Sequence, residues 1–410
     1  MSWRQVLRAP VLPPVTLLSP RLQAWLSGAL ALFGFFLPFS VAGTSILLAA
    51  LLAIALAAAP AVWRSAPWRD PVVAVGLLLF AYLAIHTLAT SGPTPVAWGT
   101  INRYHELVMG ALLLALFRLA ARPELFFRGL VCGALLYALA HWAGLFWPPM
   151  ARYLELRHIS AGMALSLTAF VLLEQARGSS RPWVLRGIAA FLALTVLFAM
   201  DGRTGYLVLL LLVACAAWLQ SPRRWRWASL VIVPLAVGAL ALSSGGVQHR
   251  IQETLAGTGP WINGGPHSTG IRIELLRTGV DVAQTHFATG AGYAEYGKAF
   301  ESAARARYGP DPLRRDYLEQ YWIRPDNPHN EYLMQLAGGG IVALALFLAW
   351  LALPILRKSG SASARASLVG VGLAFATGCL FNSMLMDFVE GHLYVALMTW
   401  LLAQARPTPP

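Results

Sequence analysis

About a dozen apolar runs, most close to twenty residues long, divide this 410-residue chain between residues 22 and 404. A run of that length, wound at 1.5 Å per residue, reaches across the roughly 30 Å hydrocarbon core of a bilayer. Backbone inside lipid must satisfy its own hydrogen bonds, so only helices and closed barrels can cross. These runs are continuous rather than alternating, which points to helices. The expected spans are about 22–39, 42–62, 71–90, 105–121, 125–147, 158–176, 183–200, 204–220, 226–243, 329–353, 365–383 and 388–404. Composition agrees, with 12% charged residues against about 25% in soluble domains. The expected fold is an all-α polytopic membrane protein with about 12 transmembrane helices and one large, partly helical loop. Residues 1–243 hold the first nine spans, 244–328 form the loop, and 329–410 hold the last three spans and a short tail. Arg4, Arg8 and Arg21 precede the first run. No small-residue cleavage site separates that run from the next, so a cleaved signal peptide is not expected.

The charge distribution sets an expected orientation. With the N-terminus in the cytoplasm, 18 of the 31 Lys and Arg residues fall on the cytoplasmic side, with only Asp70, Glu124 and Glu174 of the 18 acids. Cytoplasmic loops carry such an excess. An even number of spans returns the C-terminus to the same side and leaves 244–328 outside. The high isoelectric point therefore follows from topology, in short turns such as PRRWRW (222–227), and nucleic acid is not an expected partner. Cys132, Cys215 and Cys379 lie inside apolar runs, where thiols usually pack, and no CxxC pair is present.

Chemistry concentrates at the outer ends of the spans. In PDNPHNEYL (325–333) a histidine stands where polar loop becomes apolar helix. Asn327 is a suitable N-cap and Pro328 suits the first helical position, which puts His329 in the first turn. The positive end of the helix disfavours an imidazolium and attracts phosphate. His329 is thus a candidate base beside an anion site; the plainer reading is an interfacial histidine bonded to a loop. Arg203, in DGRTGY, opens the eighth span, and Arg272, in STGIRIELLR, opens an amphipathic loop helix carrying Ile273, Leu275, Leu276, Val280, Val282 and Phe287. Arg103, Arg152 and Arg157 stand at other outer ends. A guanidinium grips phosphate oxygens bidentately, and charges near a bilayer are costly without a purpose. The alternative is pairing with loop acids. Near the last outer turn gather Asn382, Asp387, Glu390 and His392, where Asp387 could orient His329 or a sugar hydroxyl, or simply cap a helix. His158 opens the sixth span, and His86 and His141 are read as structural. Loop aromatics such as Tyr293, Tyr296 and Phe300 could pack, lie on the membrane or line a sugar site. No DxD, Walker loop, HExxH or CxxC is present, so no metal, no cofactor and no soluble nucleotide donor is implied.

Together these residues resemble the bacterial O-antigen ligases, which stand with the O-antigen polymerases among the lipid-linked polysaccharide transferases. The likeness covers most of the chain: about twelve spans, one large late loop, and HNEYLMQLAGGGI at its end. The arginine of DGRTGY, Arg272 early in the loop and the glycine-rich GAGYAEYG are similar to features of that family in the same order. The GGG run at 338–340 is richer in glycine than the family pattern. The resemblance implies transfer of an O-antigen polysaccharide from undecaprenyl pyrophosphate to a sugar of lipid A–core. The reaction would be inverting and metal-independent, at the periplasmic face of the bacterial inner membrane. It further implies His329 as base, Arg203 and Arg272 on the pyrophosphate, and Asn330, Arg157, Arg103 and Asp387 as further substrate-binding candidates. Two other functions fit less well. A polymerase joining lipid-linked repeats commonly carries two large loops. A secondary transporter usually shows internal repeats and mid-membrane ionisable residues.

Overall fold

Each of the twelve apolar runs coincides with a helix in the computed structural model. It describes residues 18–147, 149–150, 154, 158–200, 202–256, 268–308, 326–358 and 360–405, which contain no strand. The helices are α1 (Pro20–Phe36), α2 (Val41–Ala57), α3 (Ala59–Ser65), α4 (Pro71–Ser91), α5 (Pro95–Asn102), α6 (Glu106–Leu119), α7 (Glu124–Gly144), α8 (His158–Ala176) and α9 (Pro182–Phe198). They continue with α10 (Arg203–Gln220), α11 (Arg226–Ala241), α12 (Gly245–Ala256), α13 (Ser268–Thr285), α14 (Tyr296–Tyr308), α15 (Glu331–Ile355), α16 (Ala362–Gly378) and α17 (Phe388–Gln404). Several begin where the sequence offers a cap: the side-chain oxygens of Ser19, Ser40, Asp70, Thr94 and Ser361 each accept an amide of the first turn. Six helices are long and apolar enough to cross a bilayer, or up to seven if α2 and the segment after it, bent by 91°, form one span. The remaining helices at expected spans are α1, α6, α9, α16 and α17, of 14 to 17 residues.

Polar contacts gather helix ends onto two faces. On one, Asp70 before α4 meets Arg118 near the end of α6 at 3.6 Å and Arg357 after α15 at 2.9 Å. Glu174, near the end of α8, accepts from Gln220 at the end of α10 at 3.0 Å, and its carbonyl accepts from Ser363 at the start of α16. On the other face lie the starts of α6, α10, α15 and α17, together with α13 and α14. Between the faces runs a core that includes Phe33, Phe117, Phe126, Phe347, Phe375, Tyr394 and Trp400, all nearly without solvent contact.

One helix is broken, and the break explains the GGG run. Gly340 leaves the helical region at φ 71°, ψ −170° inside α15. A break strands carbonyls and amides that cannot be left bare in an apolar setting. The loop between α13 and α14 supplies the partners: Ala291 N–H donates to Ala337 O at 2.7 Å, Gly292 N–H to Gly338 O at 2.9 Å, and Phe287 O accepts from Ile341 N–H at 3.0 Å. Tyr82 of α4 donates to Gly339 O at 2.7 Å. His86, one turn on, lies 2.7 Å from Thr289 O through Nε2, the structural role expected of it. The loop comes so near that a Cβ on Gly290, itself at φ 76°, would sit 2.4 Å from Gly338 O. We expect Gly290→Ala to cost at least about 1–3 kcal/mol through strain at positive φ and that clash, seen as earlier thermal unfolding in detergent. Gly297→Ala, with no atom within 4 Å of the added carbon, should leave the midpoint unchanged or slightly raised.

Candidate active site

His329 lies in the connection before α15, held in the left-handed region at φ 51°. Only a few per cent of non-glycine residues adopt this conformation, and here two neighbouring asparagines enforce it. Asn327 Oδ1 accepts the His329 N–H at 2.8 Å, an Asx turn, and also accepts from Ser383 Oγ at 2.7 Å. Asn330 is extended, at φ −154°, and its Oδ1 accepts from Leu333 N–H. This corrects the expected helix start. Asn330 rather than Asn327 is the N-cap, Pro328 is not the first helical residue, and His329 precedes the first turn of α15 instead of lying in it. Asn327 cannot cap because its oxygen is already engaged.

The turn between α16 and α17 stitches this connection in place. Cys379 O accepts from Glu331 N–H at 2.8 Å, Leu380 O from Asn330 Nδ2 at 3.0 Å, and Glu331 Oε2 from Leu385 N–H at 3.0 Å. Asn382 reaches the imidazole itself, its Oδ1 lying 2.8 Å from His329 Nδ1, while its Nδ2 donates to Asp387 Oδ2. A carboxylate only accepts, so the Asn382 amide nitrogen faces Asp387 and its oxygen faces the histidine. Nδ1 must then carry the hydrogen, and Nε2 carries the lone pair. Burial holds the imidazole pKa below its ordinary 6.5; the bond to Asn382 opposes this, and the Arg272 guanidinium adds to it. The Asp387 carboxyl is pushed up to about 6, chiefly by burial, against the pull of Asn382, Arg103 and Arg272.

Both expected arginines arrive at this histidine. Arg203 is the first residue of α10, whose backbone comes so near α8 that a Cβ on Gly162 would lie 2.8 Å from Gly205 Cα. Arg272 rides on α13, which packs on α15. Burial and the Arg203 guanidinium lower the pKa of Arg272, and Asp387 opposes them, yet a guanidinium stays charged at any physiological pH. Arg203, Arg272 and His329 line one cavity of about 360 Å³, whose other walls are Thr204, Leu207, Ile273, Leu276, Pro328, Leu380 and Phe381. Cationic at one part and apolar over the rest, it suits an amphipathic anion.

The other expected site residues take different places. Arg103 is not in the cavity wall; it pairs with Asp326 at 3.1 Å, both half exposed. Asp387 stands behind Asn382, and Asn330 uses its side chain on the helix start and on Leu380. Arg157 and Arg152 lie outside the described residues. His392 faces away, with Nε2 3.1 Å from His105 Nε2. Tyr293, Tyr296 and Phe300 are buried, the packing reading of the loop aromatics. Leu380 and Phe381 in the cavity wall and Ser383 on Asn327 escape a reading of the sequence, because they lie in a turn, where no period marks which side chain faces a site.

Residues 188–348 match the family model described as O-antigen ligase, a stretch that includes Arg203, Arg272 and His329. Over this stretch, 161 of the 410 residues, the chain is similar to the O-antigen ligase family. The likeness supports a glycosyltransferase of the ligase or polymerase type that acts on lipid-linked polysaccharide in a membrane. No curated protein matches the chain. Asn382 and Asp387 lie beyond the matched stretch.

Asn330→Ala should destabilise the protein by about 0.5–2 kcal/mol, the usual worth of an N-cap, with Asn330→Ser restoring part of it in thermal melts. Unchanged stability with a raised substrate KM would instead make Asn330 a substrate ligand.

Proposed function

We propose that this chain is the ligase of its family. It moves a polysaccharide from undecaprenyl pyrophosphate to a sugar hydroxyl of lipid A–core, by a single inverting displacement that needs no metal. The observation that carries this is the convergence of Arg203, Arg272 and His329 on one cavity. Its volume falls at the small end of ligand sites, enough for the pyrophosphate and what adjoins it. Leu207, Leu276, Leu380 and Phe381 offer apolar wall for the first isoprene units. In the proposed step the acceptor oxygen attacks the anomeric carbon and its proton passes to His329 Nε2. The bond from that carbon to the pyrophosphate oxygen breaks, and its electron pair stays on the pyrophosphate. Arg203 and Arg272 stabilise the charge that develops there, the task a divalent cation performs elsewhere. Arg103 and Asp387 act from outside the cavity, the first through Asp326 and the second through Asn382.

The same reading gives the topology. Twelve helices cross the inner membrane, α14 and α13 belong to the periplasmic 244–328 segment, and both termini are cytoplasmic. Helices α6, α10, α15 and α17 are then the fourth, eighth, tenth and twelfth spans. All four begin on the periplasmic side, which is where a lipid-linked donor and lipid A–core would meet.

His329→Ala should lower kcat by about 10²–10⁴-fold, leaving lipid A–core uncapped while the protein still folds. Arg203→Ala and Arg272→Ala should each cost on the order of 10²-fold or more. A chelator should not change turnover by purified protein. Because burial depresses the His329 pKa, the neutral base persists through pH 7, and the acid limb of kcat/KM should lie below pH 6.5. Core capped by single repeats in a deletion strain would point to the polymerase instead. Full capping by His329→Ala would sink the base assignment.

A further inference from the structure

The side-chain amide of Asn382 makes two hydrogen bonds, its oxygen to the His329 ring and its nitrogen to Asp387 of its own short turn. We propose that Asn382 is a positioning residue: anchored by Asp387, it keeps the hydrogen of His329 on Nδ1 and the lone pair of Nε2 on the cavity side. This rests on the reading of His329 as base. An imidazole free to exchange tautomers would spend part of its time with a hydrogen on Nε2, where it cannot accept the acceptor's proton. The turn prevents this at two points. Asn382 holds the ring through Nδ1 at 2.8 Å, and Ser383 holds the backbone through Asn327, which keeps His329 in a conformation it would otherwise leave. When Nε2 takes the proton, the Nδ1–H stays donated to Asn382, and the charge of the imidazolium is met by Asp387 one side chain away. The proton then returns to water before the next turnover.

The charged groups around the ring bear on the test. Arg272 on α13 and Arg203 on α10 disfavour the imidazolium from the cavity side. Asp326 in the same connection and Asp387 beyond Asn382 favour it. Removing the Asn382 carbonyl with Asn382→Ala takes away an acceptor that stabilises the protonated ring. The acid limb of kcat/KM should then move to lower pH, with kcat at least about tenfold down and still above that of His329→Ala. Asn382→Asp, nearly the same shape, puts negative charge against Nδ1, and the limb should move to higher pH. A residue that only packs would shift neither, or both alike. KM for the lipid-linked donor should stay near wild type in both, because the arginines are untouched.

Measuring capping by purified protein across pH 5–8 decides it. Opposite shifts support the assignment; unmoved limbs, or shifts in one direction, overturn it. If Asn382→Ala is not recovered from membranes, Asn382→Asp decides alone, an upward shift supporting the proposal and an unmoved limb overturning it. Activity retained by His329→Ala would remove the base reading itself. An inactive His329→Ala beside unmoved Asn382 profiles would overturn only the positioning role.

Discussion

A backbone that stops being helical next to lipid must hand its amides and carbonyls to something else. This requirement organises the face of the protein that carries the candidate site. Helix α15 stops being regular at two places, its start and Gly340, and each is completed by a different element. The loop between α13 and α14 fills the break at Gly340 through Phe287, Ala291 and Gly292. The turn between α16 and α17 fills the start through Cys379, Leu380 and Leu385. Both partners are thereby fixed to one helix. The loop brings Arg272 with it, because α13 leads directly into it, and the turn brings Asn382. The site is a by-product of satisfying the ends of α15, which is why its members can come from stretches more than a hundred residues apart in the chain.

Helix existence was legible because a continuous apolar run of this length favours a helix, and each of the twelve runs coincides with one, six or seven of them long and apolar enough to cross a bilayer. The alternation of ends was legible too. Counting alternating spans puts Asp70, Arg118 and Arg357 at the same end of the bundle, and they touch. Arg203 and His329 could be picked out because each stands where an apolar run begins. The cap was misplaced for a physical reason: Asn327 and Asn330 are chemically equal as caps, and the choice between them is made by Ser383, which no local pattern connects to residue 327. The left-handed His329 was hidden similarly, since nothing short of the Asx turn makes that conformation tolerable. Asp387 stands beside Asn382 rather than against His329, and the Asn382 amide orientation follows only once that carboxylate is seen beside it. The GGG run, richer in glycine than the family pattern, is a place where the Tyr293 ring and the Ala288–Thr289 backbone lie too near for side chains.

Two arginines at one cavity oppose each other, and burial strengthens that opposition. In the proposed reaction an anion with two adjacent phosphoryl groups recovers their cost, so the cavity would discriminate by charge before it discriminates by shape. The apolar wall adds a second requirement that a free pyrophosphate does not meet. Leu276, Leu380 and Phe381 remain substantially exposed. Without an occupant they present apolar surface at the rim, which a polyprenyl chain would cover.

The proposed reaction then raises a problem that the geometry also bears on. The leaving pyrophosphate ends with one more ionisable oxygen than it had as part of the donor, so the arginines hold the product at least as firmly as the substrate. Interactions that strengthen along the reaction path raise kcat for the chemical step, but they also slow release. A soluble product would have to leave against that attraction alone. A lipid-anchored one would keep its tail in the bilayer throughout, with Leu276, Leu380 and Phe381 as apolar wall beside its first isoprene units. Departure is then a lateral slide in which the tail leads and the head group follows. The charge that makes the chemistry possible can stay strong without trapping the enzyme in its product complex.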